Sequence, residues 1–322
     1  MSKSSQPGLA SVEAIIDGLG GVDYIATRRI ATALFVAAHL KKPVLVEGPA
    51  GVGKTELALA TAAWLELPLI RMQCYEGLDE GKALYEWKYG KQLLYTQILK
   101  EKLGDVIADT ATLDEAMARL HAEGDLFYSE PFLEPRPLLK ALRQERGAVL
   151  LIDEVDKSDE EFEAFLLEIL SDYQVSIPEI GTIRAVTPPM VFLTSNNTRE
   201  MGDALKRRCL HLYIPFPDSR TEERIVAARL PDISRRLNRQ LVHFIQQLRG
   251  EDLKKLPSLA ETLDWARVLM LLNADQLEVE QVRDTLNVLL KFEVDIEQVA
   301  PKLVEMTRRA GREAATVDAA RA

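Results

Sequence analysis

Residues 48–55, Gly48-Pro49-Ala50-Gly51-Val52-Gly53-Lys54-Thr55, match the G-x-x-x-x-G-K-[ST] pattern in full. The glycines of such a loop let successive backbone N–H groups turn inward on phosphate oxygens, and a helix N-terminus behind the loop adds fixed partial positive charge. Lys54 is placed to reach the β- and γ-phosphates of ATP, and the Thr55 hydroxyl to hold Mg²⁺. The competing reading is a Gly-rich turn that happens to contain Lys-Thr. It loses because residues 44–47 read as a short buried strand and residues 56–65 as the helix that must follow.

Binding a triphosphate is not hydrolysing it; hydrolysis needs a group on the far side of the metal and one that positions water. The most strand-like run in the chain, Ala148-Val149-Leu150-Leu151-Ile152, ends in Asp153-Glu154. Asp153 suits a direct or second-sphere Mg²⁺ partner and Glu154 a water-activating base. An acidic pair can also merely cap a strand in solvent, but here a phosphate loop shares the chain. Asn196 closes a strand-like run over 190–194, where its amide could orient the attacking water against Glu154; a turn-forming role competes, and so does Asn197. In Lys206-Arg207-Arg208-Cys209, a guanidinium offered to a neighbouring subunit could neutralise charge on the transferring phosphate, against the plain reading of a solvated basic turn.

The elements that must hold these groups alternate. Strand-like runs at 44–47, 69–74, 148–152, 190–194 and 210–214 are separated by helical patterns at 22–40, 56–65, 91–102, 113–121, 137–144 and a clear stripe of Phe162, Phe165, Leu166, Ile169 and Leu170. Residues 174–178 and 182–186 read as a hairpin around Glu179-Ile180-Gly181. The expected fold class is α/β, a parallel sheet flanked by helices. After Pro217 only helical patterns remain, with Ser219-x-x-Glu222 and Ser258-x-x-Glu261 read as capping boxes on either side of an Ile233, Leu237, Leu241, Ile245, Leu248 stripe. The expected organisation is a flexible N-terminal segment over 1–20, an α/β nucleotide-binding domain over 21–217 with an insertion at about 75–130, and a small all-helical lid over 218–322.

The chain has 322 residues, 47% hydrophobic and 28% charged, which is globular composition, and a formal net charge of −10, which argues against a general electrostatic grip on nucleic acid. Cys74 and Cys209 form no C-x-x-C pair, so neither a disulfide framework nor a zinc site has support, and a reducing compartment is the natural reading. No apolar run approaches the roughly 20 residues of a spanning helix, and residues 1–10 lack a signal-like apolar core. A cytoplasmic protein is expected.

The order of phosphate loop, Asp153-Glu154, strand-terminal Asn196, Arg208 before a last strand, and helical lid resembles the AAA+ ATPases over about residues 20–310. Within them, Asp153-Glu154-Val155-Asp156-Lys157 before a long helix and hairpin, and the long stretch between Cys74 and Gln144, resemble the MoxR branch. Tyr85-Glu86-Trp87 and Tyr95-Thr96-Gln97 look most like members tied to carbon monoxide dehydrogenase maturation, the CoxD type. The resemblance implies a hexameric ring with ATP between subunits, Arg208 as the finger, and a chaperone-like action on a client metalloenzyme alongside a von Willebrand factor A domain partner. One departure stands out: where the family carries a sensor arginine near the start of the third lid helix, this chain has Pro257-Ser258-Leu259-Ala260-Glu261, leaving Arg267 as substitute or surface charge. A nucleic-acid motor or loader uses the same core and is the alternative; a small-molecule kinase would need neither the lid nor Arg208. Residues 75–89, with Tyr, Trp and Glu, are expected to contact the client or a ring neighbour.

Overall fold

Alternating side chains in five short apolar runs build the centre of the molecule. The computed structural model describes residues 7–98, 112, 115, 128–178 and 180–319. Its strands, in chain order among the described residues, are β1 (Val44–Glu47), β2 (Leu69–Gln73), β3 (Tyr85–Trp87), β4 (Leu133–Pro135), β5 (Val149–Asp153), β6 (Gln174–Ile177), β7 (Gly181–Arg184), β8 (Met190–Ser195) and β9 (Leu210–Tyr213). Five of them form one sheet in the order β2-β5-β8-β1-β9, with every pairing parallel. Parallel sheets need cover on both faces. The pleat supplies it: Val44, Val46, Val149, Leu151 and Phe192 fall in one core cluster, while Leu45, Leu150, Ile152, Val191 and Leu193 fall in the other.

The helices divide between those faces. Helices α1 (Val12–Gly20), α2 (Arg28–Leu40) and α3 (Lys54–Leu65) pack on the first. The one-turn α4 (Glu80–Ala83), then α6 (Pro137–Leu142), α7 (Glu160–Asp172) and α8 (Asp203–Arg208), pack on the second, and α5 (Tyr89–Ile98) buries none of its side chains. Asp159 opens α7 by accepting from the Phe162 amide at 2.8 Å, and Glu160, Glu161 and Glu163 add favourable charge to its first turn. The hairpin expected after α7 is present as the antiparallel pair β6 and β7.

Beyond Pro217 the chain is helical: α9 (Ser219–Arg229), α10 (Arg235–Arg249), α11 (Leu259–Leu271), α12 (Val279–Leu289), α13 (Glu293–Val299) and α14 (Leu303–Ala319). They enclose a third core cluster drawn wholly from residues 226–310, with fully buried Trp265 donating to Thr285 Oγ1 at 2.8 Å.

Several expectations are corrected. The segment expected to be loose over 1–20 carries α1 over part of its length, with Ile15 and Leu19 fully buried against α2 and α3. The helix read over 22–40 starts only at Arg28, because Thr27 caps it. Ser219 does not head a capping box: Asp218 is the cap, and Glu222 is fully buried in an ion pair with Arg249. The Ser258 and Glu261 capping box is present in both halves. In the 75–89 stretch, Leu84 and Trp87 belong to the core, so aromatic exposure is confined to Tyr75 and Tyr89. The helical pattern at 113–121 and much of the insertion lie outside the described residues.

Candidate active site

The chain leaves β1 at Glu47 and enters α3 at Lys54, so residues 48–53 must reverse direction over the sheet's carboxyl edge. Two glycines make that possible for different reasons. Gly51 has φ +71°, and a Cβ there would also lie 2.6 Å from the Ser258 side chain at the start of α11. At Gly48 a Cβ would lie 2.1 Å from the Ile214 carbonyl oxygen just beyond β9.

Lys54 is buried, and its ammonium spends all three donors: to the carbonyls of Gly48 and Pro49, each at 2.8 Å, and to Asn196 Oδ1 at 2.7 Å. Burial pulls its pKa below the ordinary lysine value, against the opposing pull of Asp156, Asp153 and Glu154. Beside it, Asp153 is buried at the end of β5. Its Oδ1 accepts from Thr55 Oγ1 at 3.1 Å and from Thr194 Oγ1 at 2.5 Å. The same Thr194 oxygen accepts from the Glu154 amide at 2.9 Å.

Glu154 has left-handed backbone, φ +55° and ψ +50°, an uncommon conformation for a residue with a Cβ. Its carboxylate accepts from Asn196 Nδ2 at 3.2 Å and Gln73 Nε2 at 2.7 Å, and pairs with Lys157 Nζ at 2.6 Å. The Asn196 amide thus spans Lys54 and Glu154, accepting from the first and donating to the second. Asn197 lies off the cavity with a left-handed φ of +60°, whereas Asn196 lines it.

The loop that presents Asn196 is pinned from below by a residue to which sequence reading assigned no role. Asp156, itself buried, accepts from the amides of Asn196 at 3.3 Å and Thr198 at 2.9 Å, and from Thr198 Oγ1 at 2.6 Å. Burial pushes its carboxyl up, but these hydrogen bonds outweigh it and hold the pKa below the ordinary carboxylate value. Burial, with Asp153, Asp156 and Glu154 adding to it, pushes the nearby Cys74 thiol up to about 12, which leaves it an inert neutral group.

Residues 50–55, Cys74, Asp153, Glu154, Thr194 and Asn196 line a cavity of about 1270 Å³ between the sheet edge and the C-terminal helices. That is beyond the roughly 300–1,000 Å³ usual for a small-molecule pocket, ample for a nucleoside triphosphate. From the helical side come Leu259, Leu263, Arg229 and Arg267. Arg267 pairs with Asp264 at 2.8 Å, and Arg229 pairs with Glu56 on α3, a link sequence reading missed. Arg71 and Gln73 on β2 were missed too. Their signal was alternation, two polar residues two apart on the strand that pairs with β5. Arg207 and Arg208 are exposed and off this cavity; the Arg208 guanidinium donates to the Leu167 carbonyl at 3.0 Å. Among the described residues no helix is long and apolar enough to cross a membrane.

The family described as AAA domain (dynein-related subfamily) matches residues 43–209. The gas vesicle ATPase GvpN of Haloferax mediterranei is 27% identical over 221 residues, covering 65% of this chain; the chain spans 56% of that relative's length. A protein of Staphylococcus epidermidis is 24% identical over 261 residues, 76% of this chain and 85% of its own. Among solved structures, the RuvB Holliday junction branch migration motor of Thermotoga maritima aligns with a TM-score of 0.46 at 17% identity, covering 94% of this chain and 80% of that one.

Proposed function

We propose that this chain, which belongs to the dynein-related subfamily of AAA domains, is an ATPase of MoxR type that remodels another protein. One observation carries the catalytic part: Asn196 joins Lys54, the phosphate-loop cation, to Glu154, a carboxylate that stands apart from the Asp153–Thr55 pair. Lys54 exchanges its carbonyl partners for the β- and γ-phosphate oxygens. Residues 50–55 wrap the phosphates with backbone N–H groups, within the loop of Gly48, Pro49, Ala50, Gly51, Val52, Gly53, Lys54 and Thr55.

Mg²⁺ fits the donors beside them, since Thr55 Oγ1 and Asp153 Oδ1 are hard oxygen ligands 3.1 Å apart. When bound, the ion would neutralise charge on the β- and γ-phosphates. Glu154 takes the proton of a water that Asn196 orients; the water oxygen bonds to the γ-phosphorus as the bond to the β–γ bridging oxygen breaks, giving ADP and phosphate.

Arg208 completes the site in trans in a ring, hexameric by resemblance, for which its exposure away from its own cavity leaves it available. Residues 21–217 act as the nucleotide domain, with the insertion at about 75–130, and 218–322 as the lid. The gas vesicle ATPase relative, the β6–β7 hairpin and the insertion support the MoxR reading. A client metalloenzyme, a von Willebrand factor A domain partner and the CoxD subtype follow from that resemblance. The net charge of −10 favours a protein client over nucleic acid.

The test is Glu154→Gln. The variant should bind ATP normally, lose at least about 100-fold in turnover, and, trapped with ATP in native cytosol, retain a client and a partner. Turnover near wild type would remove Glu154 as the base. ATPase stimulation by DNA or RNA would replace the remodeller by a nucleic-acid motor.

A further inference from the structure

Asp153 carries more charge compensation than its place beside a metal position requires. Its Oδ1 is spent on Thr55 and Thr194. Its other oxygen, Oδ2, accepts from Arg71 Nη2 at 2.6 Å. The carboxylate is buried at 5% exposure and the guanidinium half-exposed at 53%, so the cation approaches from the cavity side, where any second cation must also approach. Arg71 Nη2 further donates to Gln73 Oε1 at 3.1 Å, and Gln73 Nε2 to Glu154 Oε2 at 2.7 Å. A continuous polar chain therefore runs from Asp153 through Arg71 and Gln73 to Glu154 along the rim of β2 and β5.

We propose that Arg71 is a resident counter-ion on Asp153 that competes with the divalent cation and so sets how tightly the metal is held. The inference rests on the nucleotide-site reading above. Asp153 has one carboxylate's charge to share. A guanidinium on Oδ2 lowers the negative potential felt by a cation near Oδ1 and Thr55, and a cation there weakens the Arg71 bond in turn, by like-charge repulsion at close range. Metal binding is thereby linked to the catalytic base: as Arg71 loosens from Asp153 it also loosens its hold on Gln73, and with it one of the hydrogen bonds fixing the Glu154 carboxylate. Arg71 is a positioning residue in this scheme, acting on the metal through Asp153 and on Glu154 through Gln73.

The half-exposed side chain on an edge strand can be changed without opening the core. Mn²⁺ is a direct probe: its binding to the chain in the presence of ADP is read from the loss of the free-ion electron paramagnetic resonance signal beyond the loss that ADP alone causes, with no turnover involved. Removing a partly exposed cation from a buried carboxylate is expected to tighten Mn²⁺ binding about three- to tenfold in Arg71→Gln. Arg71→Lys, which keeps the charge, should stay within about twofold of wild type. Unchanged or weaker Mn²⁺ binding in Arg71→Gln would overturn the competition and leave Arg71 as a brace for Asp153. No Mn²⁺ binding in the wild-type chain with ADP would overturn the nucleotide-site reading as well, so the two failures are distinct.

Discussion

Replacing Asp156 by Ala perturbs catalysis without touching nucleotide. The carboxylate accepts three hydrogen bonds, from the amides of Asn196 and Thr198 and the Thr198 hydroxyl, at 3.3, 2.9 and 2.6 Å. Loss of a charged acceptor costs about 1.5–3 kcal/mol where the donors stay dry. Residues 197 and 198 are exposed and 196 half-buried, so water re-pairs some of the donors and a net loss of roughly 1–3 kcal/mol is expected. The kinetic effect should be of similar size, because the loop presenting the Asn196 amide to Glu154 and Lys54 is released. A displacement near 1 Å at such a group costs up to about 100-fold, so kcat should fall about 10- to 100-fold with KM for ATP within about threefold.

The sign with pH follows from the depressed pKa of Asp156. A carboxylate held below its unfolded value contributes stability that is complete above about pH 4 and is lost as pH falls through the folded value. Denaturant melts of the wild type and Asp156→Ala should therefore differ by a constant amount from pH 7 to 5 and converge in stronger acid. Phosphate release checks the kinetics. A variant that melts early yet keeps the wild-type kcat would show that Asp156 braces the fold and not Asn196; a stability gap that widens on acidification would refute the assigned charge state.

Two further outcomes are expected. Mixing Arg208→Ala with Glu154→Gln subunits should recover part of the ATPase activity, since some interfaces then pair an intact Glu154 with an intact Arg208; no recovery at any mixing ratio in a phosphate-release assay would place the finger elsewhere, Arg207 first. Gly51→Ala combines a left-handed backbone with a contact 2.6 Å from Ser258; it should weaken ATP binding at least about fivefold by calorimetry through about 1–2 kcal/mol of strain, and normal affinity would mean that the loop and α11 separate freely.

The phosphate loop and the Asp153-Glu154 pair were legible because their chemistry is local: contiguous residues, with a strand before each. Asn196 was legible only as one of two candidates. What separates it from Asn197 is the direction of the amide at the end of β8, set by Asp156 forty positions earlier in the chain. Glu222 was misread for the same physical reason. Its spacing from Ser219 fits a cap, but the buried Arg249 that claims it lies on another helix. Arg71 and Gln73 matter because β2 pairs with β5, and strand order is a long-range fact that a polar alternation on one strand does not announce. The helical region after Pro217 was plain from periodicity, since its stripes repeat within single helices.

The left-handed backbone at Glu154 narrows the evolutionary routes open to this position. Asn, Asp or Gly can adopt it with little penalty, whereas a β-branched residue arriving by a single substitution would clash with its own carbonyl. A duplicated copy drifting toward an inactive, nucleotide-holding role therefore has few tolerated exits at residue 154, and of these Asn and Gly keep the bend while discarding the base.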